Sequence, residues 1–117
     1  MPPPTAGLRA VLTLLSQAER ECTARGNLAT HPLDDQALWH IHAALAWIAT
    51  QTLQDVVDPP VPLTAVTVPP TDLGPLELLT AAMEGILQLP DDLDNAQLGQ
   101  SRLDISDALS AVRAYCA

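Results

Sequence analysis

The amino-acid sequence predicts an all-α protein: a four-helix bundle with a proline-rich extended strap between the second helix and the third. Leu and Ala supply 38 of the 117 residues, and both favour helix. Hydrophobic residues make up 48% of the chain and aromatic residues only 3%, so we expect an aliphatic core. Four segments repeat apolar residues at the helical period, and Gly or Pro residues separate them.

The first two helices are predicted over residues 5–25 and 34–57. Gly26 and Asn27 end the first, and the prolines after Asp58 stop the second, because proline lacks the amide hydrogen that a helix needs. One face of the first helix carries Leu8, Val11, Leu12, Leu15 and Cys22. The inward stripe of the second is predicted to contain Leu38, Ile41, Leu45, Ile48, Thr52 and Val56.

The third and fourth helices are predicted over residues 75–89 and 95–116. Pro75 suits a first helical turn, and Pro90 closes the third helix. A leucine precedes each predicted N-cap of the last three helices, and a second leucine follows it four residues later, which is the hydrophobic-staple pattern. Those N-caps are Asp34, Gly74 and Asp94.

The connection over residues 58–72 contains five prolines, so it is not expected to be helical. It also carries four apolar residues, too many for a free linker: Val61, Leu63, Val66 and Val68. We therefore predict an extended strap that packs on the helices. The alternative is that this segment forms an exposed edge and pairs with a strand of a partner protein. Residues 1–117 are expected to form a single helical domain with a flexible N-terminus over residues 1–4.

Two topologies fit this strap. In up-down-up-down order, Glu19, His42 and Arg102 fall in one layer, where buried charges find the partners they need, and this order is preferred. If the strap crosses the bundle instead, the fourth helix runs parallel to the first, and Cys22 approaches Cys116. Fifteen extended residues reach about 50 Å, which permits the crossover.

The net charge of −9 argues against direct binding to nucleic acid or to anionic lipid, because both are negatively charged. No segment is apolar enough to span a membrane, and none has the form of a secretory signal. Two cysteines without metal-ligand spacing indicate idle thiols in a reducing compartment. We therefore expect a cytoplasmic protein without a membrane partner.

The sequence contains no phosphate-binding loop, zinc-hydrolase motif or nucleophile elbow, and we expect neither a cofactor nor a metal. His40 and His42 point about 200° apart on one helix, so they cannot bind one metal ion together. The layer of Glu19, His42 and Arg102 is a candidate acid–base site or anion pocket. The alternatives are an ion pair that fixes helix register, or charges at the stripe edges that reach solvent.

Trp47 points away from the predicted stripe of the second helix, and residues 36–54 contain no charged side chain. Solvated helix faces usually carry charges, so a neutral face centred on tryptophan indicates a protein interface. The alternative is that Trp47 packs under the strap of the same chain. The predicted interface residues are Trp47, His40, Ala43, Gln51 and Gln54.

Together these features predict a small acidic, non-enzymatic interaction module, an adaptor or regulator. It would bind another protein, or form a homodimer through the second helix. The first alternative is a small-ligand pocket or a minor enzyme at Glu19, His42 and Arg102. The second is a nucleic-acid mimic that inhibits a basic partner.

Overall fold

The structure of the protein, a computed structural model, describes residues 4–28, 30, 32–54, 72–88 and 96–116. These residues form four helices: α1 (Pro4–Gly26), α2 (Leu33–Gln54), α3 (Pro75–Leu87) and α4 (Ala96–Cys116). The predicted all-α class with four helices is confirmed. The predicted last turn of the second helix, most of the strap and the Asp94 cap fall on residues 55–71 and 89–95, which lie outside the described residues, as do residues 1–3 of the predicted N-terminal tail.

Local signals place two of the helix ends where we expect them. α1 ends at Gly26. α3 begins after Gly74, an N-cap with extended backbone (φ −81°, ψ 170°), whose carbonyl accepts a 3.0 Å hydrogen bond from the Leu78 amide. Pro75 takes the first helical position, where a missing amide hydrogen leaves no helical bond unmade.

The prediction that Asp34 is the N-cap of α2 is wrong. The helix begins at Leu33, and the Gln36 amide donates a 3.0 Å hydrogen bond to the Pro32 carbonyl. Asp34 and Asp35 lie in the first turn instead, where their carboxylates face the positive end of the helix dipole. The proline carbonyl therefore opens the helix, and the acidic residues stabilise its first turn.

Contacts near the helix ends establish the direction of each helix. A β-carbon added at Gly85, near the end of α3, would lie 2.9 Å from Val11, near the start of α1. Arg25, at the end of α1, reaches the start of α3. The Trp39 and Tyr115 rings, near the start of α2 and the end of α4, lie 5.2 Å apart. Thus α3 runs antiparallel to α1, and α4 runs antiparallel to α2.

Arg25, at the end of α1, lies over the Trp39 ring near the start of α2, so α2 also runs antiparallel to α1. The resulting order is up-down-down-up, so the up-down-up-down prediction is wrong. α1 packs against α2 and α3, and α4 packs against the same two helices, so α4 runs parallel to α1 across the diagonal. Residues 55–74 can reach roughly 65 Å when extended, about twice the length of α2, so the chain is long enough for this crossover. The prediction failed because it relied on a polar layer that the fold does not form.

One aliphatic core joins all four helices. The predicted apolar face of α1 is buried along its length, and fully buried partners from the other helices include Leu53, Leu79 and Ile105. Inside, the Thr50 hydroxyl donates a 2.8 Å hydrogen bond to a carbonyl of its own helix. At the boundary of α2 and α4, the Thr52 hydroxyl donates a 2.6 Å hydrogen bond to the Asp104 carboxylate.

Two helical glycines provide a matched test of this packing. We expect Gly99→Ala to raise the free energy of unfolding by about 1 kcal/mol, because no other part of the described structure lies within 4 Å of the added carbon and alanine favours helix. Gly85→Ala gains the same propensity but forces its carbon against Val11, a stiff and buried side chain. We expect a net loss of about 1 kcal/mol there.

Urea unfolding of both variants measures the difference. Equal stabilisation by the two substitutions would contradict the close approach of α1 and α3.

Candidate functional site

Three alanines lie on the face through which α2 packs on the bundle. Its buried face carries Trp39, His42, Ala43, Ala46, Ala49, Thr50 and Leu53. The predicted inward stripe is therefore wrong: Ile41 and Ile48 are 53% and 45% exposed, and Leu45 and Thr52 are only half-buried. The physical reason is that alanines let the neighbouring helices approach closely, which leaves the bulkier aliphatic side outside.

The predicted interface residues do not share one exposed face. Trp47 is 51% exposed and His40 is also exposed, while Gln51 and Gln54 are half-buried. Ala43 was assigned to the interface wrongly: it is 6% exposed and belongs to an interior cluster. The exposed side of α2 is rotated about the helix axis from the predicted one, toward the two isoleucines.

The exposed face of α2 has a regular pattern of its own. Its centre line, here termed the outer seam, consists of four exposed residues spaced four, three and four apart: Ala37, Ile41, Ala44 and Ile48. This is the spacing of the residues at which two helices of a coiled coil meet. Leu38 and Leu45 flank the outer seam on one side, and His40 and Trp47 flank it on the other.

Reasoning from the sequence missed Ile41 and Ile48 as surface residues. α2 is apolar on both sides, and periodicity does not tell which of two apolar stripes faces inward. The signal that identifies the inner stripe is the run of alanines at helical spacing, Ala43, Ala46 and Ala49, because small side chains permit the tightest contact between helices.

The predicted polar layer is not formed. His42 is 4% exposed, and its ring centre lies 5.5 Å from that of Tyr115. Arg102 precedes Tyr115 by thirteen residues on α4, about 20 Å along the axis, so it lies at a different level of the bundle. Glu19 and Arg102 are half-buried at the edges of their stripes. Ala18 and Ser101, which precede them in the sequence, occupy the buried positions instead.

His42 belongs instead to an aromatic cluster that joins α2 to α4 near the end of α1. The Trp39 ring packs edge-to-face on the His42 ring at 5.3 Å and 83°, and on the Tyr115 ring at 5.2 Å and 81°. The Arg25 guanidinium lies 5.0 Å from the centre of the Trp39 ring, a cation–π contact. Cys22 packs against the same rings, so three helices contribute to the cluster.

A hydrogen bond to Asp35 raises the pKa of Tyr115 above the ordinary value of a phenol. Its hydroxyl donates to the Asp35 carboxylate, which raises the pKa of the phenol, and burial of the ring raises it further. The Trp39 indole N–H donates to the same hydroxyl and lowers that pKa in part. Tyr115 therefore acts as a neutral link between the start of α2 and the end of α4.

His42 is a buried base in apolar surroundings. Neither ring nitrogen has a hydrogen-bond partner among the described residues, and burial lowers the pKa of the imidazole. Asp35 contacts its neighbour Tyr115, and Arg25 contacts its neighbour Trp39. The folded protein therefore holds the His42 ring in its neutral form.

Cys22 is a free, buried thiol, and burial raises its pKa to about 12, although the nearby Arg25 charge opposes this shift. It is therefore protonated and unreactive at neutral pH. Within the described ranges, no three His, Cys, Asp or Glu side chains are placed to hold a metal ion. None of the described helices is long and apolar enough to cross a membrane.

No family model, curated protein or solved structure matches this chain. The exposed face of α2 and the aromatic cluster are the two features of the described residues that bear on function.

The buried His42 makes stability depend on pH. Because the pKa of His42 is lowered in the folded state, only the unfolded chain takes up the proton as the pH falls below about 6.5. The free energy of unfolding should then fall by up to about 1.4 kcal/mol per pH unit, until the folded state also binds the proton. Urea unfolding between about pH 7.5 and 5.5 measures this slope.

We expect His42→Gln to remove that slope, whereas His40→Gln, a change at an exposed histidine two residues away, should keep it. A His42→Gln variant with the slope of the original protein would show that His42 is not its source.

The two thiols should differ in reactivity. In the folded protein at about pH 8, iodoacetamide should modify the exposed Cys116 and leave the buried Cys22 intact, because only a thiolate in contact with solvent reacts. Mass spectrometry should count one adduct per folded chain and two per unfolded chain. Comparable labelling of both cysteines in the folded state would contradict the burial of Cys22.

Proposed function

We propose that this protein is a small acidic interaction module, an adaptor or regulator rather than an enzyme, which binds another protein or itself through the outer seam of α2. The observation that carries the proposal is the amount of apolar surface on this helix. Of the nine large apolar side chains exposed in the described residues, five belong to α2: Leu33, Leu38, Ile41, Trp47 and Ile48. The largest apolar patch on a monomeric protein is often a functional surface.

The charge distribution supports the same proposal. The chain carries a net charge of −9, yet residues 36–54 contain no Asp, Glu, Lys or Arg. The centres of protein interfaces are depleted in charge and enriched in aromatic residues. Trp47, 51% exposed at the edge of the outer seam, is of the residue type most enriched among interface hot spots. These features suit a partner whose contact surface is itself apolar.

The alternative of a ligand pocket or an enzyme needs Glu19, His42 and Arg102 to meet. Arg102 lies about 20 Å from the level of His42 along α4, so protein interaction is the stronger proposal.

We also propose that the protein works in the cytoplasm, because Cys22 and Cys116 are both free thiols.

Site-specific photo-crosslinking tests the proposal. We expect benzoylphenylalanine in place of Trp47, an exposed aromatic residue beside the outer seam, to give adducts heavier than the single chain when the protein is irradiated in its own cells. The same group at Ser106, an exposed position on α4, serves as the control and should give few. If both positions give the same adducts, or if neither gives any, the outer seam is not the binding surface.

A further inference from the structure

We infer that the occupant of the outer seam is a second copy of this chain, whose α2 packs antiparallel to the first around a two-fold axis. This inference rests on the proposed function, because it names the partner for the same surface. Three properties of the outer seam support it: the alternation of large and small residues, the absence of charge, and the area that one helix can cover.

The alternation of alanine and isoleucine makes the outer seam complementary to itself. With the axis between positions 42 and 43, Ile41 of one copy lies opposite the partner's Ala44, and Ile48 lies opposite the partner's Ala37. Because two-fold symmetry repeats each contact, all four positions pair a large side chain with a small one. The two helices can then approach to about 8 Å.

A parallel pair lacks this complementarity. In a parallel pair, each isoleucine would face the equivalent isoleucine of the partner, and each alanine would face the equivalent alanine. The spacing that the side chains require between the two helices would then alternate between wide and narrow along the contact. In the antiparallel pair the layers have equal width, and the contact is continuous.

The flanking residues fit the antiparallel arrangement as well. On one side, Leu38 meets the partner's Leu45, and on the other, His40 meets the partner's Trp47. Trp47 is 51% exposed and would bury much of its ring in this way. No charged side chain is brought toward the axis, because residues 36–54 contain none.

The absence of Asp, Glu, Lys and Arg from the outer seam, rather than the net charge of the chain, favours an apolar partner such as a second copy over a basic protein at this surface. Two copies at −9 each repel one another, so they can associate only through an uncharged surface, which the outer seam provides. A basic protein would be drawn to the acidic surfaces elsewhere. Salt screens the repulsion between copies, so self-association should strengthen with ionic strength, whereas binding of a basic partner should weaken.

The available area sets the strength of the contact. The uncharged part of α2 is about 28 Å long and about 12 Å wide, so two copies together cover roughly 700 Å². This area falls in the range of weak, reversible complexes rather than obligate dimers. We therefore expect a dissociation constant between about 1 µM and 1 mM.

Light scattering and sedimentation over a range of concentrations test the inference on the full chain with reductant present. The mass should rise from 12.4 kDa toward twice that value as the concentration approaches about 1 mM, and it should rise further at higher salt. A constant single-chain mass up to about 1 mM would overturn the inference, as would dissociation on addition of salt.

A swap of residues tests the pairing itself. Ala44→Ile sets isoleucine against the partner's Ile41 and should weaken the dimer at least about tenfold. The double variant Ile41→Ala/Ala44→Ile restores a large residue opposite a small one and should return the affinity to within about threefold of the original. Both positions are exposed, so thermal unfolding should confirm an intact fold.

A double variant that binds no better than Ala44→Ile would overturn the antiparallel pairing. The crosslinks at position 47 separate this inference from the proposed function. Adducts of twice the chain mass support both. Adducts that contain only a different protein leave the proposed function standing and overturn self-pairing.

Discussion

The alanines on the inner side of α2 determine how the rest of the bundle is arranged. Ala43, Ala46 and Ala49 are at most 6% exposed, and they present a narrow surface to the neighbouring helices. When one face of a surface helix packs against its neighbours, the opposite face is exposed. The tight contact made by the alanines therefore turns Ile41 and Ile48 toward solvent. The apolar surface proposed for binding is thus a direct result of the closest packing inside.

Two kinds of contact hold α2 along its length. Near its start, edge-to-face rings and hydrogen bonds connect Trp39 to Tyr115. Near its end, aliphatic packing around Leu53 adjoins the hydrogen bond from Thr52 to Asp104. The strength of aromatic contacts and hydrogen bonds depends on the relative orientation of the two groups. The strength of aliphatic packing depends on orientation much less. The aromatic cluster therefore acts together with the alanine packing to fix the rotation of α2 about its axis, and that rotation determines which face meets solvent.

The number of helices could be predicted because glycine and proline separate them, and two helix ends could be placed in this way, at Gly26 and Gly74. The rotation of α2 about its axis could not be predicted, because a stripe of alanines and a stripe of isoleucines have the same period. Glu19 and Arg102 illustrate the same difficulty, since one residue turns a helix by about 100° and moves a side chain from core to edge. The connection is long enough for both topologies, so only contacts between helices distinguish them.

The crossover also affects how the bundle would respond to mechanical force. Because α1 and α4 run parallel across its diagonal, α1 begins at one end of the bundle and α4 ends at the other, about 35 Å away. Tension between these two points acts along the helix axes and loads the long contacts between helices in shear. A bundle whose first and last helices were antiparallel would instead open from one end, turn by turn, under a much smaller load.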